Sequence, residues 1–213
     1  MGSCPLSADP LGYQSLWMVA LMFIALGLTV LFFTLRQGGP TRHDRSLAFI
    51  DALTGLANRR KLDHDIDDLV RGALVGRPRS ATTAPTAVIM LDIDHFKSVN
   101  DQYGHRYGDD VLRQVGTMLA REVRAHDSVY RYGGEEFCIL LSGATMSDAE
   151  RVAQRLVNSA RKLVLPGDVR ITLSAGVADG TAADVAHTLH AADQALLEAK
   201  RSGRDRAVET VRA

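Results

Sequence analysis

Ala87-Val88-Ile89-Met90-Leu91, running straight into Asp92-Ile93-Asp94, is a short, nearly continuous apolar run that ends in carboxylates. A strand with one wet face alternates apolar and polar residues, whereas a strand covered on both faces does not. The run is therefore predicted to be a central strand, with Asp92 and Asp94 delivered to its end. After a polar stretch from Asp92 to Asp110, Val111, Leu112, Val115, Leu119 and Val123 recur at helical spacing. Ser128 to Tyr132 and Phe137 to Leu141 then flank Gly133-Gly134-Glu135-Glu136, the pattern of a β-hairpin. Asp148 to Leu163 reads as a helix with Val152, Leu156 and Leu163 inward, and Ile171, Leu173, Ala175 and Val177 alternate as a strand. A last helix runs from Ala183 to Arg201, with Gly203 as the glycine just past its end. Upstream, Asn58 suits the N-cap of a helix carrying Leu62, Ile66 and Leu69, and Gly72 to Pro85 has loop composition. The order strand, helix, hairpin, helix, strand, helix predicts an α+β domain of ferredoxin-like kind, with helices packed on one face of the sheet. No internal repeat is visible.

The N-terminal part reads differently. Leu16 to Leu35 carries no charged residue over about twenty positions, enough for a helix to cross a bilayer, and Tyr13 and Trp17 suit one interface. A signal peptide would need a basic n-region, and no Lys or Arg precedes Trp17. Arg36, Arg42 and Arg45 follow the run directly, which orients the tail outward and the larger part toward the cytoplasm. The resulting division is a short extracytoplasmic tail (1–15), a transmembrane helix (16–35), a linker helix (36–50) and a folded domain (51–213). Leu47 and Ile50 share a face of the linker and could meet a second copy. Gly27 stands without a Gly-x-x-x-Gly partner, a weak dimerisation signal.

Composition narrows the function. Lys plus Arg and Asp plus Glu both number 25, a formal net charge of zero. That disfavours a protein that binds nucleic acid by neutralising its backbone, while leaving room for a nucleotide site built from a few cations and a metal. Cys4 and Cys138 lie on opposite sides of the apolar run and form no disulfide framework or zinc spacing; Cys138 reads as a small core residue.

If the hairpin lies beside the central strand, Glu135 and Glu136 crowd the same sheet edge as Asp92 and Asp94. Close carboxylates repel, and a divalent cation relieves that repulsion; few protein ligands and many oxygens suit Mg²⁺ held together with phosphates. The alternative, solvated loop acids, stays open on spacing alone.

Arg131-Tyr132-Gly133-Gly134-Glu135-Glu136-Phe137 closely resembles the signature of the GGDEF family of diguanylate cyclases, in its GGEEF form. The resemblance covers Asp51 to about Arg206. It includes Asp51-Ala52-Leu53-Thr54-Gly55-Leu56, Asp92-Ile93-Asp94-His95-Phe96-Lys97-Ser98-Val99-Asn100-Asp101, Gly104-His105, Gly108-Asp109, Leu173-Ser174-Ala175-Gly176-Val177 and Ala199-Lys200-Arg201-Ser202-Gly203-Arg204. It implies a sheet of nucleotidyl-cyclase type and condensation of two GTP into cyclic di-GMP by a homodimer, which together with the apolar run 16–35 predicts a bacterial inner-membrane enzyme. Carried over by position, Asp92, the Ile93 carbonyl and Glu135 would hold Mg²⁺, or Mn²⁺, on the phosphates. Glu136 would assist a second metal or take the ribose 3′ proton. Asn100 and Asp109 would read the guanine edge, with His105 lining that pocket. Lys97, Lys200, Arg204 and the main chain at Phe96 would hold phosphates, and Gly133 and Gly134 would admit the triphosphate. Asp109 as a helix cap, Lys200 as a dipole partner and Asn100 as a turn cap are the structural alternatives.

Arg124-Ala125-His126-Asp127 has the Arg-x-x-Asp form of the family's product-binding inhibitory site, with Arg155 as a second arm. A surface ion pair is the plainer reading. Two other functions compete with the active cyclase: a non-catalytic, membrane-anchored cyclic di-GMP receptor acting through Arg124 and Asp127, and a membrane scaffold for another protein. The intact acidic turn favours the enzyme.

Overall fold

The structure is a computed structural model that describes residues 10–36, 49–74 and 85–210. It divides into two compact units, residues 1–46 and 47–213. The described residues of the first form one helix, α1 (Pro10–Arg36), whose described large side chains between Met18 and Phe32 are apolar and exposed. Among the described residues, no helix is long and apolar enough to cross a membrane. The span expected over 16–35 therefore rests on sequence, not on this structure. Most of the expected linker helix, and most of the loop expected over 72–85, lie outside the described residues.

The second unit is built on a six-stranded sheet. Its strands are β1 (Ala57–Asn58), β2 (Pro85–Ile93), β3 (Ser128–Arg131), β4 (Glu136–Ser142), β5 (Leu173–Thr181) and β6 (Ala207–Glu209), in the order β1-β3-β4-β2-β5-β6. The pairs β3–β4, β4–β2 and β2–β5 are antiparallel, and the outer pairs β1–β3 and β5–β6 are parallel. The helices are α2 (Arg59–Leu74), α3 (Phe96–Tyr103), α4 (His105–Glu122), α5 (Met146–Arg161) and α6 (Val185–Arg201).

From Ala87 to Leu91 no residue of β2 is more than 1% exposed, as the continuous apolar run requires. Odd-numbered residues, Ala87, Ile89, Leu91 and Ile93, join the core formed with α4 and α5. Even-numbered Val88 and Met90 join a second core with Leu62 of α2 and with Val185, Ala192 and Leu196 of α6. The expectation of helices on one face is thus corrected. A central strand without polar alternation needs a helical layer on each side, and here there are two. On the α6 side the approach is close: a Cβ on Gly176 of β5 would run into the backbone of Ala192 and Leu196.

Local signals placed most boundaries. Asn58 Oδ1 accepts from the Lys61 N–H at 3.1 Å, the expected cap of α2. Thr145 and Asp148 form a reciprocal capping box, so α5 starts at Met146, two residues before the apolar periodicity suggests. Three elements are additional to the sequence reading. α3 is only eight residues inside a polar stretch, and β1 and β6 are two and three residues long, too short to show a period.

Candidate active site

β2 delivers Asp92 to the sheet edge, where it lies directly opposite Glu136 of β4 and Ser174 of β5. The Ile93 N–H donates to the Glu135 carbonyl at 3.3 Å, which ties the acidic turn to the end of β2. Lys200, in the last turn of α6, reaches the same point, its Nζ 2.7 Å from Asp92 Oδ2. Asp92 is only 6% exposed. Burial pushes its carboxyl above the usual range; Lys200 and Arg204 oppose this, and Asp94 adds to it. Glu135 is pushed up as well, by burial first and then by Asp92 and Glu136, against the pull of Lys200. Burial and neighbouring carboxylates thus disfavour the charged forms of Asp92 and Glu135, which is the electrostatic condition for a cation site of oxygen ligands.

The turn between β3 and β4 is fixed from behind. Its tip is closed by the N–H groups of Tyr132 and Gly133, which donate to the Glu136 carbonyl at 2.8 and 3.2 Å. Arg131 Nη1 donates to both Asp51 oxygens at 3.0 and 3.1 Å, while its Nε and Nη2 donate to the Gly134 carbonyl at 3.3 and 2.8 Å. Asp51 also accepts from the main-chain N–H and the hydroxyl of Thr54. A Cβ on Gly133 would lie 2.6 Å from Glu136 Oε2, whereas around Gly134 there is open space. A side chain at 133 would thus crowd the end of the Glu136 side chain, whereas one at 134 would meet nothing within 4 Å.

Past β2 the chain turns at His95, in left-handed conformation (φ 57°), into α3. Phe96 is buried and Lys97 exposed at its first turn, where the N–H groups of Ser98 and Val99 donate to the His95 carbonyl at 2.9 and 3.3 Å. Asn100 of α3 lies against Gly108 of α4, beside Asp109; a Cβ on Gly108 would overlap Asn100 Oδ1. Asn100 and the start of α4 are thereby joined. Lys97 and His105 are exposed and form no ion pair with the carboxylates among the described residues. Arg204 sits in a left-handed turn after α6, and its charge acts on Asp92.

Asp94, assigned no role by its motif position, is 4% exposed and carries three bonds. It accepts from the hydroxyls of Thr172 and Ser174, both at 2.6 Å, and from the Asp205 N–H at 3.1 Å. Asp51, Arg131, Gly108 and Asp94 are the residues that reading the sequence left without function. Their signal was present only as membership of the same motif blocks.

On another part of the domain, Arg124 and Asp127 close a turn: the Arg124 N–H donates to Asp127 Oδ2 at 3.1 Å and the Asp127 N–H to the Arg124 carbonyl at 3.0 Å. A cavity of about 130 Å³ beside it is lined by Arg124, Asp127, Asp148, Arg151 and Arg155, so the three expected residues share it and Arg151 joins them. Arg155 is engaged with Glu122, its Nε 3.0 Å from Oε2 and its Nη2 2.6 Å from the carbonyl. His64, Asp65 and Asp68 also cluster on α2, but Asp65 is already bonded to Lys61 and, at 2.8 Å, to the Tyr130 hydroxyl.

A mixed sheet with helices on both faces, and an acidic hairpin tip beside an acidic strand end, define a nucleotidyl-cyclase type of domain. Residues 48–206 match the family described as diguanylate cyclase, GGDEF domain, and the chain belongs to it. Response regulator PleD of Caulobacter vibrioides is 38% identical over 173 residues, 78% of this chain and 37% of that protein. Diguanylate cyclase DgcZ of Escherichia coli K12 is 39% identical over 161 residues, 74% of this chain and 52% of that protein. The chain thus spans between about a third and a half of these curated relatives. The coiled coil and GGDEF domain of DgcB from Caulobacter crescentus, solved in complex with c-di-GMP, superposes with a TM-score of 0.69 at 27% identity, covering 91% of this chain and 98% of that one.

Proposed function

We propose that the protein is a diguanylate cyclase: two GTP are joined into cyclic di-GMP with release of two pyrophosphates. The observation that carries this is the convergence of Asp92, Glu135 and Lys200 at one sheet edge. Each ribose 3′-oxygen attacks the α-phosphorus of the other nucleotide, and the bond from that phosphorus to pyrophosphate breaks. Such transfers depend chiefly on positioning and charge neutralisation.

Asp92, the Ile93 carbonyl and Glu135 fit a divalent cation, Mg²⁺ in our reading, which supplies charge neutralisation at the phosphates and lowers the cost of the leaving pyrophosphate. Glu136, whose carboxylate lies beside Gly133, accepts the 3′ proton. Asn100 and Asp109 offer hydrogen-bond acceptors to guanine N1–H and N2–H₂; adenine lacks this pattern, and an unpaired buried acceptor costs roughly 1–3 kcal/mol. Lys97, Lys200, Arg204 and the first N–H groups of α3 hold the phosphates. With one nucleotide per subunit, a two-fold homodimer brings two GTP face to face.

The cavity holding Arg124, Asp127 and Arg155 supports product inhibition by cyclic di-GMP, since Arg grips phosphate and stacks on a base while Asp pairs with a guanine edge. The uncharged Leu16–Leu35 segment and the arginines that follow it, Arg36, Arg42 and Arg45, support a bacterial inner-membrane anchor with the catalytic domain in the cytoplasm. Fractionation of cells expressing the full chain tests the anchor: recovery in the alkali-washed membrane pellet is expected, and recovery in the supernatant refutes it. For the reaction, the detergent-solubilised full chain is incubated with GTP and Mg²⁺. Cyclic di-GMP with pyrophosphate is expected; binding of cyclic di-GMP without turnover would instead identify a receptor.

A further inference from the structure

We propose that Asp94 and Arg161 are positioning residues that together lock the Gly203-Arg204-Asp205 turn in a left-handed conformation and so present Arg204 to the nucleotide phosphates. The proposal rests on the reading of Arg204 as a phosphate arm. Three successive residues here have positive φ: Gly203 at 111°, Arg204 at 62° and Asp205 at 49°. Glycine adopts such angles freely, but a non-glycine residue in that region is strained and persists only where its surroundings over-determine it.

Here the surroundings do so from two directions. From the sheet, buried Asp94 accepts the Asp205 N–H at 3.1 Å while the hydroxyls of Thr172 and Ser174 hold its two oxygens in place. From the last turn of α5, Arg161 Nε donates to both Asp205 carboxylate oxygens at 2.8 and 3.0 Å, and Nη2 donates to the Asp205 carbonyl at 2.8 Å. The Arg204 N–H closes onto the Ala199 carbonyl at 2.9 Å, and the Arg206 carbonyl accepts from Ala175 at 2.8 Å, so the turn is also tied at both ends. Asp205 is thus gripped through its N–H, its carbonyl and its side chain, and the neighbouring Arg204 is near enough for its charge to act on Asp92. An arginine fork is planar and rigid, and a lysine at 161 could not make the same three bonds.

The test is equilibrium binding by the full chain in detergent, with two probes: a GTP analogue bearing a non-hydrolysable α,β-methylene bridge, and GMP. Arg161 is partly exposed on the end of α5, so Arg161→Ala keeps the core intact; Asp94→Asn is the second variant, with thermal melting as a check on folding. Arg161→Ala is expected to weaken the triphosphate analogue about tenfold, the scale of loss when a supporting shell is removed, with GMP binding unchanged. In the double variant with Arg204→Ala, the two losses should not add, because both act through one guanidinium. Equal loss for GMP, additive losses, or unchanged affinity in both Arg161→Ala and Asp94→Asn would overturn the clamp. If Arg204→Ala itself leaves triphosphate binding unchanged, the phosphate role of Arg204 and the purpose of the clamp fall together. The readout is binding, so it stands whether or not the chain turns over.

Discussion

Arg131 joins the first residues of the folded domain to the tip of the acidic turn: one nitrogen holds both oxygens of Asp51, and the other two hold the Gly134 carbonyl. Both side chains are mostly shielded, 16% and 21% exposed, so this pair is little screened. Its consequence is that the position of Glu135 depends on residue 51, far away in sequence.

Replacing Arg131 with Lys should therefore disable the site while leaving the fold. A lysine carries the charge but not the fork, so it can hold Asp51 or Gly134 but not both. Turnover should fall roughly 10- to 100-fold, the scale seen when a residue supporting metal ligands is lost. The circular dichroism spectrum should be unchanged. Steady-state rates for Arg131→Lys and Asp51→Asn at saturating GTP check this, and wild-type rates in both would refute the link.

Gly108 makes a second dependence testable. The overlap that a Cβ would create is with the end of the Asn100 side chain, which can swing away, and with Phe96 Cζ at 3.2 Å. Gly108→Ala should thus cost little stability but displace Asn100, the group proposed to read guanine. KM for GTP should rise about tenfold with kcat nearly unchanged, as for loss of uniform binding. A large fall in melting temperature with KM intact would mean the close approach serves packing instead.

How much of this was legible beforehand depends on the length over which a signal extends. The apolar run 87–91 fixed β2 as central because burial on both faces leaves an unmistakable pattern, although helices on one face only were the wrong inference to draw from it. Long amphipathic helices and the hairpin were equally readable. α3, β1 and β6 were not, since two, three or eight residues do not establish a period against a polar background. Asp92 and Glu135 were findable by chemistry and motif together. Asp94 was not, because its identity says nothing of whether it faces a cation or the hydroxyls of Thr172 and Ser174. The partners of Arg131 and Arg161, 80 and 44 residues away, were equally hidden.

The acidic edge predicts opposite effects on stability and activity. Asp92 and Glu135 have carboxyl groups raised above their unfolded values of 3.8 and 4.5. Between each unfolded value and its raised folded value, the folded state binds more protons than the unfolded chain, so stability falls as pH rises through that window. At neutral pH, without metal, the charged site is a cost that a neutral isostere removes. Glu135→Gln should raise the metal-free melting temperature at pH 7, with the gain vanishing toward about pH 4, where the native carboxyl is itself protonated. The same change should lower turnover roughly 10³-fold through loss of a metal ligand. Melting curves across pH beside the rate at pH 7 check both, and a variant less stable at pH 7 would refute the electrostatic account.

The proposed product-binding role of the cavity at Arg124, Asp127 and Arg155 predicts two changes of opposite sign. Arg124→Ala removes a charge-assisted contact to phosphate, worth about 1.5–3 kcal/mol, so inhibition by added cyclic di-GMP should weaken about 10- to 100-fold without altering the initial rate. Arg155 now spends its guanidinium on Glu122, with Ser159 donating to the other Glu122 oxygen at 3.0 Å. Glu122→Gln keeps the size and the Ser159 bond but weakens the hold on Arg155, freeing it for the product. Inhibition should then tighten severalfold, read from rate against product concentration. An unchanged curve in both variants would show that this cavity does not take the product.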